Sequence, residues 1–543
     1  MTTRYGMIVD LNRCVGCQTC TIACKQANDT PPGVQWRKVL DVEYGQFPSV
    51  ERLFLVTGCQ HCANPSCVPV CPTGATKQRA DGLVTMDYDA CIGCGYCAVS
   101  CPYQARTIVH DPKGYYGEKT AQEVLTSHPD RVGVANKCTF CIDRIDEAKV
   151  LNLIPGVDPE VTPACATSCI TQAIQFGDFA NPLSQVTTLA RENKTFQMHA
   201  ALGNDPQIKY LYEIPATLSG NPLSDADRSD EVMSDTSNPL VGKRQTFWDY
   251  RAAMNFILGG MASGFALMAY FAYCIGIADL RQLAILNLMA GVIMGCGLFF
   301  VFLKIGRKLR FLNVLLRPQS SWMTRETWCV AIFYPAVLAG LFFNNFLALG
   351  LASFAAFGFL VSQARILFAS KGIPSWRAPY IPWMIFFSGL YEGLSLLGLA
   401  ASLVHVDLQS HILILCSAGI VLGLINANYF ILYSRNAKSD GIGPLARREI
   451  KSLKVPVLIF GQLLPVALLI YTCIGGEVGL LPFFLASTLI VLGGGCWKLI
   501  LIIKACHFQS FEIPMMPQRG SGNRAAPERH GLNLSQLAKK RGL

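Results

Sequence analysis

The chain has 543 residues, 51% apolar and only 15% charged, with 46 Lys and Arg against 36 Asp and Glu. The shortage of charge falls in the second half, which argues against a wholly soluble protein and points to a membrane protein with a soluble head. The net charge of +10 raises nucleic acid as a partner, but no basic stripe with interleaved aromatics accompanies it, so no nucleic acid is expected.

The N-terminal stretch MTTRYGMIVDLNRC carries neither a twin arginine nor an apolar h-region, so no export signal is expected in it. Tyr5 to Asp10 alternates like a short strand and leads into the first of four cysteine sets. Of the 23 cysteines, 16 lie before residue 170. The first set is Cys14-x-x-Cys17-x-x-Cys20-x-x-x-Cys24 and the second is Cys59-x-x-Cys62-x-x-x-x-Cys67-x-x-x-Cys71-Pro. The third is Cys91-x-x-Cys94-x-x-Cys97-x-x-x-Cys101-Pro, and the fourth splits into Cys138-x-x-Cys141 and Cys165-x-x-x-Cys169. A C-x-x-C-x-x-C run folds around one cubane iron–sulfur cluster, and the cysteine beyond it ligates the other cluster of a pair. Four runs therefore imply four 4Fe–4S clusters. The spacing is too tight for ordinary disulfides. For the fourth set, structural zinc remains an alternative reading.

LFLVTGCQHC from Leu53 and GLVTMDYDAC from Gly82 repeat a strand-then-cysteines plan, the internal repeat of a ferredoxin. Lys25, Arg79, Arg106 and Lys137 lie close in sequence to these ligands, where positive charge would raise a reduction potential or simply sit solvated on the surface. All four runs, their order and the stretched fourth set resemble the four-cluster electron-transfer subunit of the molybdopterin oxidoreductase family, of the dimethyl sulfoxide reductase type. The resemblance implies an interlocked ligand pattern. Cys14, Cys17 and Cys20 would share a cluster with Cys169, and Cys138, Cys141 and Cys165 would share one with Cys24. Cys59, Cys62 and Cys67 would go with Cys101, and Cys91, Cys94 and Cys97 with Cys71. Some relatives lose a third-set cysteine and hold a three-iron cluster, but Cys94 is present here.

Residues 181–245 turn polar and irregular and read as a linker. From Ala252 the apolar runs reach spanning length, and eight are expected, at about 252–276, 283–303, 327–347, 348–369, 380–402, 411–433, 455–474 and 480–503. A tight hairpin at Asn344–Ala348 would join the third to the fourth. Gly259, Gly260, Gly264 and Gly493 to Gly495 suit close helix packing. The expected fold is thus an α+β ferredoxin-like head of two interlocked dicluster modules (1–180), the linker, an all-α eight-helix transmembrane bundle (246–506) and a flexible basic tail (507–543).

The loops on the head's side hold Lys304, Arg307, Lys308, Arg310, Arg317, Arg325, Lys371, Arg377, Arg435, Lys438, Arg447, Arg448, Lys451 and Lys454. The opposite loops offer Arg281 with Asp279, Asp407 and Glu477. The positive-inside rule then turns the head to the cytoplasmic side of a bacterial inner membrane. The bundle resembles the quinone-binding anchor of the same family, fused here to the cluster subunit. A cytoplasmic head is more similar to the quinone-linked sulfite dehydrogenases than to the respiratory dimethyl sulfoxide reductases. Haem would need two histidines at matching depth, whereas His405 and His411 flank one outer loop, so no haem is expected.

Intramembrane ionisable and amide groups are the candidates for a quinone site. Glu392 lies near mid-membrane. Gln363 and Arg365, Asn426 and Asn428, Gln462 and Asn255 lie toward the head. The alternative is that the amides join helices and Arg365 snorkels to the interface. No nucleophile–base constellation and no dinucleotide loop is present, so this chain reads as an electron carrier and anchor rather than a substrate enzyme. A separate molybdopterin catalytic subunit, quinone and membrane lipid are the expected partners. Sulfite oxidation with quinone reduction is the leading reading, ahead of a dimethyl sulfoxide or other S- or N-oxide reductase, a stand-alone quinone–ferredoxin oxidoreductase, or a purely structural anchor.

Overall fold

The computed structural model describes residues 3–31, 33–46, 49–110, 117–126, 129–213, 230, 232–407, 409–474 and 480–513. The head is built on a four-stranded sheet ordered Ile174–Asp178, Tyr5–Asp10, Ile208–Leu211, Thr195–Phe196. Tyr5–Asp10 runs antiparallel to the first, with Met7 opposite Phe176, and parallel to the third, with Met7 opposite Ile208. As the strand is central and covered on both faces, Gly6 through Val9 are all buried and the alternation read from sequence has no exposed face.

The sheet corrects the linker expectation. Helix Gln185–Glu192 and strands Thr195–Phe196 and Ile208–Leu211 fall within 181–245, so the head continues to Leu211. Their signal is faint because the helix buries only Val186 and the strand only Ile208 and Tyr210. Residues 214–229 and 231 of the expected linker lie outside the described residues. Farther on, Leu240 and Lys243 accept from Phe511 N and Phe508 N at 2.8 and 2.9 Å. The start of the tail is therefore tied down through Ile513, and its remainder, 514–543, lies outside the described residues.

The cysteine loops hang from short β-ribbons. Arg37–Gln46 pairs with Ser49–Gly58 and delivers Cys59, while Thr76–Gln78 pairs with Val84–Met86 ahead of Cys91. Inside the runs, Gly16, Gln18, Gly93, Gly95, Phe140 and Cys141 have positive φ. Such left-handed steps turn successive N–H groups toward one concave side, a geometry suited to an anionic guest.

Eight helices among the described residues are long and apolar enough to cross a membrane: Tyr250–Cys274, Leu280–Lys304, Trp322–Phe343, Phe346–Phe368, Ile381–Val404, Gln409–Arg435, Pro444–Ile474 and Leu481–Ile503. The third starts five residues earlier than hydropathy suggests, and the seventh eleven earlier, because Pro444 opens it and its basic first turns are helical but not apolar. The third and fourth are joined by Asn344, in a left-handed conformation, and Asn345, whose side chain caps the fourth. The first and fifth spans are the most buried. They cross where a Cβ on Gly264 would lie 1.8 Å from the Gly389 carbonyl oxygen, so only glycine permits the approach. Two spans contain a π-helical turn, Asn255–Gly259 and Ile459–Leu463, a local rearrangement that often accompanies functional sites.

The head is docked on the bundle through the third cysteine run. A Cβ on Gly93 would stand 1.9 Å from the Gly133 carbonyl oxygen, and one on Gly306, after the second span, 2.0 Å from the same oxygen. Three backbones thus stack without side chains between them. Trp248 Nε1 and Lys304 Nζ each donate to the Cys94 carbonyl at 3.0 Å, and Tyr96 Oη donates to the Ile366 carbonyl at 2.9 Å. Arg307 and Arg310 donate to the Val132 and Tyr88 carbonyls.

Candidate functional site

None of the 23 cysteines is joined in a disulfide, and the sixteen of the head gather into four neighbourhoods. Burial raises the Cys24 thiol, helped by the neighbouring thiolates of Cys138, Cys165 and Cys141. Cys20 is pushed up to about 11 by burial, with Cys165, Cys14 and Cys169 as its thiolate neighbours. Burial raises Cys62 beside Cys59, Cys67 and Cys101, and pushes Cys94 up to about 12 beside Cys71 and Cys91. In each neighbourhood the last cysteine of one run stands with the first three of another. Shared neighbours also order them. Cys20 reaches Cys165, Cys138 reaches Cys59, and Arg106 reaches Cys67, Cys97, Cys59 and Cys101. The line runs from the Cys14 neighbourhood through those of Cys138 and Cys59 to that of Cys91, which rests on the membrane helices.

Whether iron–sulfur clusters suit these residues can be judged from three buried cations. Arg37 and Lys137 are 0% exposed and Arg106 is 4% exposed. None of them has a carboxylate partner among the described residues, and Arg37 Nε and Nη1 and Arg106 Nη2 lack any hydrogen-bond partner. An uncompensated buried charge is strongly destabilising, so a counter-charge belongs here. Burial works against the Arg37 guanidinium, but the thiolates of Cys165, Cys138, Cys20 and Cys24 outweigh it and hold it charged. Its Nη2 lies 3.7 Å from Cys165 Sγ. Arg106 lines a cavity with Cys59, Cys62, Cys67, Cys101 and Tyr103. Anionic thiolate-held clusters supply the charge these cations lack, and backbone N–H groups already face sulfur, Phe140 N at 3.4 Å from Cys138 Sγ and Ala173 N at 3.2 Å from Cys169 Sγ. The residues fit the group. Among the described residues no three Cys, His, Asp or Glu side chains gather tightly enough for a single ion.

Of the cations singled out from sequence, Arg106 and Lys137 are thus buried between sulfur neighbourhoods, while Arg79 pairs with Asp81 and Asp146 and Lys25 donates to the carbonyls of Thr30 and Pro31. Arg37 was missed because it sits on a strand outside the cysteine runs and meets Cys165, distant in sequence.

In the membrane half, Asn255 and Gln363 come together with a residue that hydropathy had left outside the third span, Glu326. Asn255 Nδ2 donates to Glu326 Oε1 at 3.2 Å, and Gln363 Nε2 to the Asn255 carbonyl at 2.8 Å. Asn255 Oδ1 and Gln363 Oε1 are buried acceptors without a donor. Burial raises the Tyr96 phenol, which lies within reach of both Glu326 and Cys94 and so links this cluster to the last sulfur neighbourhood. Glu392 is elsewhere, paired with Lys498 at 2.7 Å with both side chains at most 1% exposed. Lys498 was overlooked inside an apolar run, although an intramembrane charge is itself a signal. Gln462 is buried in the second π-helical turn with Oε1 unpartnered, and Asn426 donates to Leu422 in its own helix. Arg365 and Asn428 are exposed on the bundle surface and join neither cluster. Arg365 lies over the Trp322 ring at 5.8 Å.

Residues 50–115 match the family model of the 4Fe–4S dicluster domain. The chain is 38% identical over 222 residues to the putative iron–sulfur subunit of a dimethyl sulfoxide reductase from Halobacterium salinarum, covering 38% of this chain and 79% of that protein. It is 37% identical over 227 residues to the iron–sulfur cluster-binding subunit of a menaquinone reductase from Nitratidesulfovibrio vulgaris, covering 38% of this chain and 88% of the relative. It is 36% identical over 225 residues to a sulfite dehydrogenase subunit from Allochromatium vinosum, covering 38% and 83%.

Proposed function

The chain belongs to the family of electron-transfer iron–sulfur subunits of the dimethyl sulfoxide reductase and sulfite dehydrogenase type, and from that premise we propose that it relays electrons between a separate molybdopterin catalytic subunit and a quinone held among its own helices. The observation that carries this reading is the docking of the third cysteine run, whose Cys94 carbonyl takes hydrogen bonds from Trp248 and Lys304 and whose Tyr96 lies within reach of Glu326 in the Glu326–Asn255–Gln363 cluster. Cys14, Cys17, Cys20 and Cys169 would hold the first 4Fe–4S cluster, Cys138, Cys141, Cys165 and Cys24 the second, Cys59, Cys62, Cys67 and Cys101 the third, and Cys91, Cys94, Cys97 and Cys71 the fourth. When bound, the clusters supply one-electron transfer without bond making.

The chain's own residues set the two ends of that line. At the outer end Cys17 is exposed, and Val15, Ile22 and Ile170 leave apolar surface open beside the same run and beside Cys169. This surface suits the face of a partner subunit. Arg37, Lys137 and Arg106 balance the anionic charge along the interior. At the membrane end Tyr96 and Trp248 close the gap between cluster loop and helices and exclude water, while Asn255 Oδ1 and Gln363 Oε1 can accept from the hydroxyls of a reduced quinone. The relative named as a menaquinone reductase subunit supports a quinone as the membrane partner.

The relatives, within two points of one another in identity, do not favour one substrate. Sulfite rests on orientation. Lys304, Arg307, Arg310 and Lys371 donate to head carbonyls, so part of the positive bias serves docking. Arg435, Lys438, Arg447, Arg448, Lys451 and Lys454 remain to support a cytoplasmic head. Glu477, counted on the opposite side, lies outside the described residues. The test is sulfite-dependent quinone reduction by the complex purified with its catalytic subunit, alongside paired topology reporters at Leu543. Activity with sulfite and a cytoplasmic terminus are expected. An external terminus with quinol-driven reduction of an S- or N-oxide would replace sulfite oxidation by the reverse flow.

A further inference from the structure

Glu392 and Lys498 are not part of the quinone cluster, yet they are not isolated from it. Glu392 lies eleven residues into the fifth span, Ile381–Val404, about 16 Å deep at 1.5 Å per residue and so near the middle of a hydrocarbon core roughly 30 Å thick. Its carboxylate accepts from Ser388 Oγ and from Lys498 Nζ, and Trp497 Nε1 donates to Ser388 Oγ at 3.3 Å. Gly494 leaves room for it, since a Cβ there would stand 2.1 Å from Glu392 Oε1. Ion pairs are costly at this depth and are a poor source of stability, so a pair that merely fastened two helices would be replaced by apolar packing without loss.

The pair reaches the quinone cluster through one bare position. A Cβ on Gly260 would lie 3.2 Å from Lys498 Nζ and 3.3 Å from Gln363 Oε1. The ammonium and the unpartnered amide oxygen thus converge on the same stretch of backbone, and a Cβ on Gly259 would lie 2.7 Å from the other end of the same amide, Gln363 Nε2. From Gln363 the polar line continues through Asn255 to Glu326.

We propose that the Glu392–Lys498 pair stores and delivers protons for the quinone, with Gln363 as the link, an inference that rests on the quinone reading above. Reduction of a quinone takes two electrons, which arrive singly along the head, and two protons, which convert its two carbonyls to hydroxyls. Lys498 Nζ gives one proton to the oxygen of the reduced quinone that Gln363 holds, its N–H bond breaking as the quinol O–H bond forms, and is left as a neutral amine beside the carboxylate. A proton from water that reaches Glu392 passes to Lys498 and restores the pair. The unpartnered Gln363 oxygen accepts the hydrogen bond that positions the quinol hydroxyl, and Gly260 keeps the approach from Lys498 open by having no side chain.

The test uses the full chain with its clusters in the purified complex. The clusters are reduced with dithionite and mixed with a short-chain quinone, and their reoxidation is followed in H₂O and D₂O. Expected for Lys498→Met and Glu392→Gln is at least a tenfold slower reoxidation with unchanged cluster spectra and unchanged quinone KM. Gly260→Ala, which places a methyl between Lys498 and Gln363 without touching any charge, is expected to slow reoxidation and enlarge the solvent isotope effect. A reduced-minus-oxidised infrared spectrum should contain a carboxyl band that Glu392→Gln removes. Wild-type rates in all three variants, or a raised KM with unchanged kcat, would overturn the relay. If clusters of the wild-type protein are not reoxidised by quinone at all, the quinone reading itself fails and the relay with it.

Discussion

Both halves of the molecule bury positive charge, and they answer it differently. Lys498, in the bundle, has its counter-charge in the chain, Glu392 at 2.7 Å. Arg37, Lys137 and Arg106, in the head, have no carboxylate counter-charge among the described residues, and the anions beside them are cysteine sulfurs. The bundle therefore answers its buried Lys498 with a carboxylate of its own chain, whereas the head's buried cations are answered only when something anionic joins its thiols. The cluster-bearing half should depend on its cofactor to fold, and the membrane half should not.

The sharpest way to break that comparison is to withhold iron. Each buried cation left unpaired costs about 3–5 kcal/mol, against a folding margin of about 5–15 kcal/mol for a whole domain. Protein made in iron-starved cells should carry a head that protease digests rapidly, while the fragment holding the eight spans stays inserted. An iron-free head that resists protease would show that the cations have another partner. Next in size is Glu326→Gln. Removing a carboxyl that handles protons beside a reacting group costs about 10²-fold or more, so quinone-dependent turnover should fall by that much while dithionite still reduces every cluster. A smaller, more local effect is expected of Arg37→Met. Loss of the cation between the first two sulfur neighbourhoods should lower the midpoint potentials of those two clusters by about 60 mV each, a tenfold change in a one-electron equilibrium, and leave the other two in place. Arg37→Lys should restore most of the shift. Potentiometric titration followed by electron paramagnetic resonance reads all four.

The same contrast explains what could be read from the sequence. The cysteine runs are local, since three of the four sets each span about a dozen residues, and spacing alone picks out the candidate ligands. The counter-charges are not local. Arg37 comes from a ribbon strand and meets Cys165 across 128 positions, and no spacing rule reaches that far. Hydropathy found the eight spans because each needs about 20 apolar residues, but it trims polar first turns. That trimming left Glu326 outside the third span and the basic start of the seventh helix in a loop. The short elements between residues 185 and 211 were read as linker because they bury few residues apiece and depend on the central strand for their stability.

Gln363 and Arg365 make the finest test of the membrane site, since they are two residues apart on one helix and both were candidates. Two positions along an α-helix turn the side chain by more than half a circle. Gln363 is 0% exposed and bonds Asn255, while Arg365 is exposed and lies over Trp322. Arg365→Ala should change quinone turnover by no more than about 0.5 kcal/mol, roughly twofold, as expected for a surface position, and Asn428→Ala should behave alike. Gln363→Ala should remove both the amide that holds the π-helical turn of the first span and the acceptor facing Lys498. Its turnover should fall well beyond that range at unchanged cluster content. If Arg365→Ala were instead the damaging change, the quinone would have to approach from the lipid-facing side of the fourth span, and the buried cluster around Glu326 would be only a helix junction.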